Sequence, residues 1–334
     1  MNRASFAHAL GRRTLRFIGD SVTSDHYQYL TRCVLNCSFE TMHVGTLKLS
    51  DKATAEELKR YLTVRGFQKD VAHWALKLLQ AASKDGYATG CTLESGGRVD
   101  FRRVNALPVN TSRRGHGSHR EIVAAIWHTL LYWSGPALNK DDVVLINFGL
   151  HDYGKLRAQV GDVLRWWAAE EATGSAPRLL WRQTSPQHWP TSPLGAFSSF
   201  EDVAQTASMP CRAHEARDEQ GVDLAGAAFR LYDKSVSEAV LQASSSSHEL
   251  GDGSGSRDRG AAHRRWADVL DVFAATAERA EDHPRLTKGS LPVKSVERTL
   301  RVNSTEAALL ADCTHYCIPG SVLRFWTQAL LAWL

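Results

Sequence analysis

Thr14-Leu15-Arg16-Phe17-Ile18-Gly19-Asp20-Ser21 decides the fold class of this 334-residue chain. The first five residues form a short β-prone run, Gly19-Asp20-Ser21 breaks it, and Tyr27-Gln28-Tyr29-Leu30 reads as the start of a helix. A strand, a tight turn and a helix in immediate succession form the repeating unit of a parallel α/β sheet, and they expose the side chain at the apex of the turn. That side chain is Ser21. The helix start beside it also carries backbone N–H groups and a positive dipole end, which favour a developing oxyanion. Taken alone, Gly-Asp-Ser is common, and its plain reading is a turn with a helix-capping serine.

Working outward, strands are expected at 14–18, 99–103, 143–148 and 178–183, the last two being apolar runs of the kind a buried parallel sheet needs. Helices are expected over 53–65, 70–82, 118–134, 155–171 and 262–280. The alternation predicts a single α/β domain over residues 1–334, with three α/β/α layers and a mostly parallel central sheet. Active groups then belong at the carboxyl ends of the strands, where Ser21 and Asn147 fall. Residues 243–260, ASSSSHELGDGSGSRDRG, are rich in Ser and Gly without apolar periodicity, and read as a flexible surface insertion.

Near the other end of the chain, Asp312-Cys313-Thr314-His315 supplies what Ser21 lacks. A hydroxyl is a poor nucleophile at neutral pH unless a base removes its proton, and the base works best when a third group fixes its tautomer. The spacing of Asp312 and His315 lets the carboxylate accept one imidazole N–H while the other ring nitrogen faces Ser21. Cys313, Cys317 and Pro319-Gly320 point to a rigid loop around the pair, and at least one disulfide is expected from Cys313 or Cys317, with Cys211 as the named partner. A zinc reading of Cys33-x-x-x-Cys37 and Cys313-x-x-x-Cys317 is disfavoured, because neither pair has the two-residue gap of a zinc knuckle and His315 is better used as the base. His116 and His119 sit in a polar Gly- and Arg-rich stretch and read as loop.

Four blocks in order resemble one family. FAHALGRRTLRFIGDSVTSDHYQYL (6–30) resembles the opening of the trichome birefringence-like and PC-esterase group within the GDSL/SGNH-like acyl-esterases. DCTHYCIPGSVLRFW (312–326) resembles that group's closing Asp-Cys-x-His-Trp-Cys-Leu-Pro-Gly motif, with Tyr316 in the Trp position. VVLINFGLH (143–151) resembles the central strand with its oxyanion-hole asparagine, here Asn147, and RQTSPQHW (182–189) the Arg-x-x-Ser-Pro-x-His segment. The resemblance implies an SGNH-hydrolase-like fold and a catalytic set of Ser21, His315, Asp312 and Asn147. It implies transfer of an acetyl group to a polysaccharide, with no bound cofactor and an acetyl donor as co-substrate. A glycan O-acetylesterase and a non-catalytic polysaccharide-binding protein are the alternatives. The Cys-rich segment that precedes the core in plant members is missing, so a fragment or a minimal member is expected. The region 96–105 is the candidate for a further oxyanion donor.

Composition agrees with a globular enzyme: 43% hydrophobic and 23% charged residues can build one large core, and no apolar run reaches the length of a membrane span. The net charge of +4 is small and the basic residues are dispersed, which argues against a nucleic acid partner. The six cysteines permit three disulfides, and three Asn-x-Ser/Thr sequons occur at Asn36, Asn110 and Asn303. Together with the resemblance they place the protein in the secretory pathway, in the Golgi lumen or secreted. Residues 1–11 lack the apolar core of a signal peptide, so any membrane anchor is expected upstream. The ten Trp residues are mostly expected in the core, including Trp166, Trp167, Trp326 and Trp333, while Trp181 and Trp189 are placed at the rim of a cleft.

Overall fold

A computed structural model describes residues 2–37, 42–45, 49–82, 88–105, 119–133, 136–148, 153–189, 211–214, 223–246, 265–283 and 313–334. Seven strands form one sheet: β1 (Thr14–Gly19), β2 (Met42–Gly45), β3 (Ala88–Thr92), β4 (Arg98–Arg103), β5 (Val143–Asn147), β6 (Arg178–Arg182) and β7 (Ala267–Leu270). Their spatial order is β2-β3-β4-β1-β5-β6-β7. Strands β4, β1, β5, β6 and β7 run parallel, whereas β3 lies antiparallel to both β4 and β2.

The strand residues alternate between two hydrophobic cores, which is how a single sheet organises three layers. Ile18, Val144, Ile146, Leu179 and Trp181 face one core, which they share with α3 (Lys52–Val64), α4 (Lys69–Ala82), α5 (His119–Tyr132), α6 (Tyr153–Glu171) and α8 (Ser235–Ser246), the helix that follows the short α7 (Leu224–Phe229). Leu15, Phe17, Val143, Leu145 and Leu180 face the other, beneath α1 (Arg3–Leu10), α2 (Ser21–Gln28) and the C-terminal helix α10 (Ser321–Trp333). The central strand β1 is buried along its whole length. Its one charged side chain, Arg16, reaches Asp100 of β4 at 2.8 Å, both fully buried. Burial alone would raise the Asp100 carboxyl, but Arg16 and Arg102 outweigh it and hold it below the usual carboxylate range.

The structure departs from the expected pattern in four places. The helix expected over 262–280 is instead β7, a short helix α9 (Phe273–Ala277) and a 3₁₀ turn (Ala280–Asp282). Ala267-Asp-Val-Leu pairs in register with Leu179 to Arg182 and buries Ala267 and Leu270, a gain the local helical spacing cannot match. Helix α2 starts at Ser21, not at Tyr27, because Asp20 caps it, and it continues through a π-helical turn (Tyr29–Val34). Trp181 and Trp189 are 2% and 6% exposed, so neither lies at a rim. Trp181 packs against Phe148 and donates to buried Asp233, because its position on β6 faces the core under α8. Of the insertion expected at 243–260, residues 243–246 belong to the end of α8 and the remainder lies outside the described residues.

Two disulfides are present, Cys37–Cys91 and Cys211–Cys313, while Cys33 and Cys317 are free thiols. The first ties the segment after α2 to β3, the strand next to the edge strand β2, and the second ties the His315 loop to residues 211–214. Such bonds persist in an oxidising compartment. Among the described residues no helix is long and apolar enough to cross a membrane.

Candidate active site

The turn after β1 is built by its own sequence. Gly19 stands opposite Asn147 in the sheet, and a Cβ at Gly19 would overlap the Asn147 carbonyl and the Thr23 side chain, so only glycine allows this approach. Asp20 is the N-cap: its Oδ1 accepts from the N–H groups of Val22 at 3.1 Å and Thr23 at 3.2 Å. The Ser24 N–H goes to the Asp20 carbonyl. Of the four helix-initial amides, the Ser21 N–H is the one with no protein acceptor among the described residues. Ser21 is the first helical residue, half-buried, at the carboxyl end of the central parallel strand.

His315 approaches from the far end of the sequence. Its Nε2 lies 2.7 Å from the Ser21 Oγ. The loop that carries it has no regular structure and is held by contacts from four directions. Cys313 is disulfide-bonded to Cys211, and its carbonyl accepts from the His188 N–H. The Thr314 hydroxyl oxygen accepts from Gln187 Nε2 at 2.8 Å and Trp189 Nε1 at 2.9 Å. Tyr316 donates its hydroxyl to the Pro186 carbonyl at 3.0 Å, and the Cys317 N–H goes to the Asp282 carbonyl. Beyond the loop, Trp326 of α10 packs against Tyr316, His26 of α2 and the Arg182 guanidinium, so one ring joins the two arms of the site.

A histidine pair supports the same loop. His188 Nε2 lies 2.9 Å from the Ala277 carbonyl, and its Nδ1 lies 2.6 Å from His283 Nε2. Burial, followed by the charge of His283, pushes the His188 imidazole down to about 3, so it is neutral and its Nδ1 accepts. His283 therefore donates through Nε2. Its Nδ1 faces the backbone carbonyl of His315, which can only accept.

Of the four residues expected from the sequence, Ser21 and His315 meet directly. Asp312 lies outside the described residues. Asn147 is fully buried at the end of β5, and its amide hydrogens reach the Arg182 carbonyl at 2.8 Å and the Thr184 hydroxyl at 3.0 Å. It braces the ends of β5 and β6 directly beside the Gly19 turn. The 96–105 block also abuts that turn, through the Val104 N–H on the Gly19 carbonyl at 2.8 Å.

In the sequence Arg182 stands out only as the first residue of the 182–189 block, with no role assigned, and His283 is not singled out. Arg182 is fully buried, donates from Nη2 to Thr23 Oγ1 at 3.3 Å and stacks on Trp326 at 4.3 Å. Burial lowers its pKa to about 10 against the opposing pull of Asp20, so it stays charged at neutral pH beneath the Ser21 turn. A charged residue ending an apolar strand run is the signal that could have marked it. His283 carries no such signal, since only the folded chain brings it to His315. Compared with known proteins, the chain matches no family model and no curated sequence.

Proposed function

We propose that this protein is a serine-dependent O-acetyltransferase of glycans in an SGNH-hydrolase-like fold, working by double displacement through an acetyl-enzyme. The observation that carries the reading is the 2.7 Å contact between His315 Nε2 and Ser21 Oγ, made across 294 sequence positions at the edge of a parallel sheet. His315 takes the Ser21 proton as Oγ attacks the acetyl carbonyl of the donor ester. The tetrahedral intermediate collapses by breaking the donor C–O bond, and the departing alkoxide takes the proton from His315. A sugar hydroxyl then gives its proton to His315 and attacks the acetyl-Ser21 carbonyl, and Ser21 leaves and regains its proton. If water takes the place of the sugar, the same cycle is that of an acetylesterase.

Two features support the oxyanion side of this cycle. The unused Ser21 N–H stands at the positive end of α2, where a developing negative charge is favoured. The buried Arg182 charge lies below the same turn. For Asn147 to act as a second donor, its amide must exchange Arg182 or Thr184 for the substrate. Asp312 has the role of holding the His315 imidazolium. The choice of acetyl and glycan, and of a Golgi or secreted location, rests on the four-block resemblance, with the two disulfides in accord with the compartment.

The test is intact mass after brief exposure to p-nitrophenyl acetate, on the unaltered protein and on Ser21→Ala, with and without oligosaccharides. A 42 Da adduct (about one acetyl group) on Ser21 that discharges faster to sugar than to water is expected for this covalent route. Discharge to water alone would make it an esterase, and no adduct on the unaltered protein would remove the acyl-enzyme reading.

A further inference from the structure

A cavity of about 400 Å³ opens at the carboxyl ends of β6 and β7, with Gln183, His214, Phe229, Asp271, Phe273 and Glu278 in its wall and small residues between them. Gln183 follows β6, Asp271 follows β7 and Ser21 follows β1, so all three lie on one edge of the parallel strands. Three strand spacings separate β1 from β7, roughly 14 Å, the reach of a short oligosaccharide. The cavity and the His315 loop share a wall: the Gln187 carbonyl accepts from His214, while the Gln187 amide donates to Thr314.

The polar groups of the cavity are fixed in direction. Gln183 Oε1 accepts the N–H groups of Val272 and Phe273, each at 2.9 Å. Backbone amides only donate, so the carboxamide cannot be turned round, and its NH₂ has no acceptor among the described residues. His214 Nε2 lies 2.9 Å from the Gln187 carbonyl and therefore carries the ring proton. Burial lowers its pKa, the ring is neutral, and Nδ1 is left as an acceptor. His214 is 3% exposed and Gln183 6%, so neither is a mobile surface group. Phe229 and Phe273 meet at 5.1 Å and add apolar faces. Asp271 and Glu278 are exposed, and among the described residues neither lysine nor arginine lines the cavity.

We infer that this cavity is a sugar subsite, separate from the Ser21 turn, which takes an uncharged or amino sugar unit and rejects a uronic acid. Sugar hydroxyls both donate and accept, which matches a fixed NH₂ donor, a fixed imidazole acceptor and two carboxylates. The C–H face of a pyranose suits the phenylalanine faces. An aliphatic chain would leave the Gln183 and His214 groups without partners, and an anionic sugar would meet two carboxylates with no cation among the described lining residues to offset them. Naming the bound sugar as the acetyl acceptor rests on the proposed acyl transfer; the binding itself does not.

Calorimetric titration of Ser21→Ala protein separates the two ideas, because no turnover is involved. The probes are the hexasaccharides of cellulose, xylan, mannan and chitosan, with hexagalacturonate as the acidic counterpart. At least one of the first four is expected to bind, with hexagalacturonate weaker by about tenfold or more. Adding Phe229→Ala, or the two exposed changes Asp271→Asn and Glu278→Gln, should weaken that binding by about tenfold. The carboxylate pair keeps the test open if Phe229→Ala unfolds. Binding of none of the four, equal binding after both sets of changes, or hexagalacturonate binding as tightly would overturn the subsite. Cavity-dependent sugar binding without an acetyl adduct on the unaltered protein leaves the subsite standing and removes the acyl reading; an adduct without such binding does the reverse.

Discussion

Ser21 and His315, the proposed nucleophile and base, are held in two different ways. Ser21 sits on regular structure: a strand buried on both faces, an Asp20 cap and the first turn of a helix, all within eight residues of sequence. His315 sits on an irregular loop whose position depends on residues 186–189, 211, 282 and 283, up to 129 positions away. The difference teaches that Ser21 is placed by local folding and His315 by long-range contacts. The base side should therefore tolerate less disturbance before geometry at the 2.7 Å contact fails.

The largest expected effect sharpens the local side. Ser21→Ala should lower acyl turnover by at least about 10⁴-fold while stability changes by less than about 0.5 kcal/mol, since the half-buried hydroxyl contributes chemistry rather than packing. Hydrolysis of p-nitrophenyl acetate and a melting curve check it, and a fall of tens of degrees in melting would mean that Ser21 is structural. Next comes the disulfide comparison. Cys211→Ser should cost about 2–4 kcal/mol of stability and about 100-fold in kcat, because it frees the Cys313 end of the His315 loop. Cys37→Ser should cost similar stability but leave kcat within about twofold, because Cys37–Cys91 ties the sheet edge instead. Equal losses of kcat in the two variants would break the comparison.

A smaller effect is expected at His283. His283→Ala should lower kcat about tenfold with little change in KM, because the ring holds the His315 carbonyl and does not reach the Ser21 hydroxyl contact. An unchanged kcat would remove His283 from the support of the base. The last prediction concerns stability alone. Asp233 is buried beside β6 and accepts from Trp181 at 2.9 Å and the Thr184 N–H at 3.1 Å, yet burial raises its carboxyl pKa from 3.8 to about 6. An acid raised in the folded state contributes stability that is complete below pH 3.8 and lost as pH rises through about 6. The full loss is about 3 kcal/mol. Asp233→Asn should flatten the dependence of denaturation midpoint on pH between 4 and 7, and an unchanged slope would show that Asp233 titrates normally.

Much of the core was legible because its signals are local. The four expected strands are present to within one residue, and four of the five expected helices appear within a few residues of their expected ends. Strand β7 was missed because Ala267-Asp-Val-Leu is compatible with either helix or strand, and only its neighbour Trp181 settles the matter. Strands β2 and β3 are short pieces at one end of the sheet with a glycine each, and they carry no alternation strong enough to notice. Trp189 was misplaced for a related reason: its indole N–H finds Thr314 in the interior, a partner far away in sequence.

By itself the sequence determined the parallel α/β class, the strand-to-helix turn that carries Ser21 and a candidate histidine to meet it. These depend on residue type, spacing and hydrogen bonding within a few positions. Tertiary structure decided that His315 reaches Ser21, that Cys211 pairs with Cys313, that His283 lies under the base and that a polar cavity opens beyond β6 and β7. Each of these joins segments far apart in the chain, whose meeting depends on the burial of two whole cores and leaves no periodicity in the residues themselves.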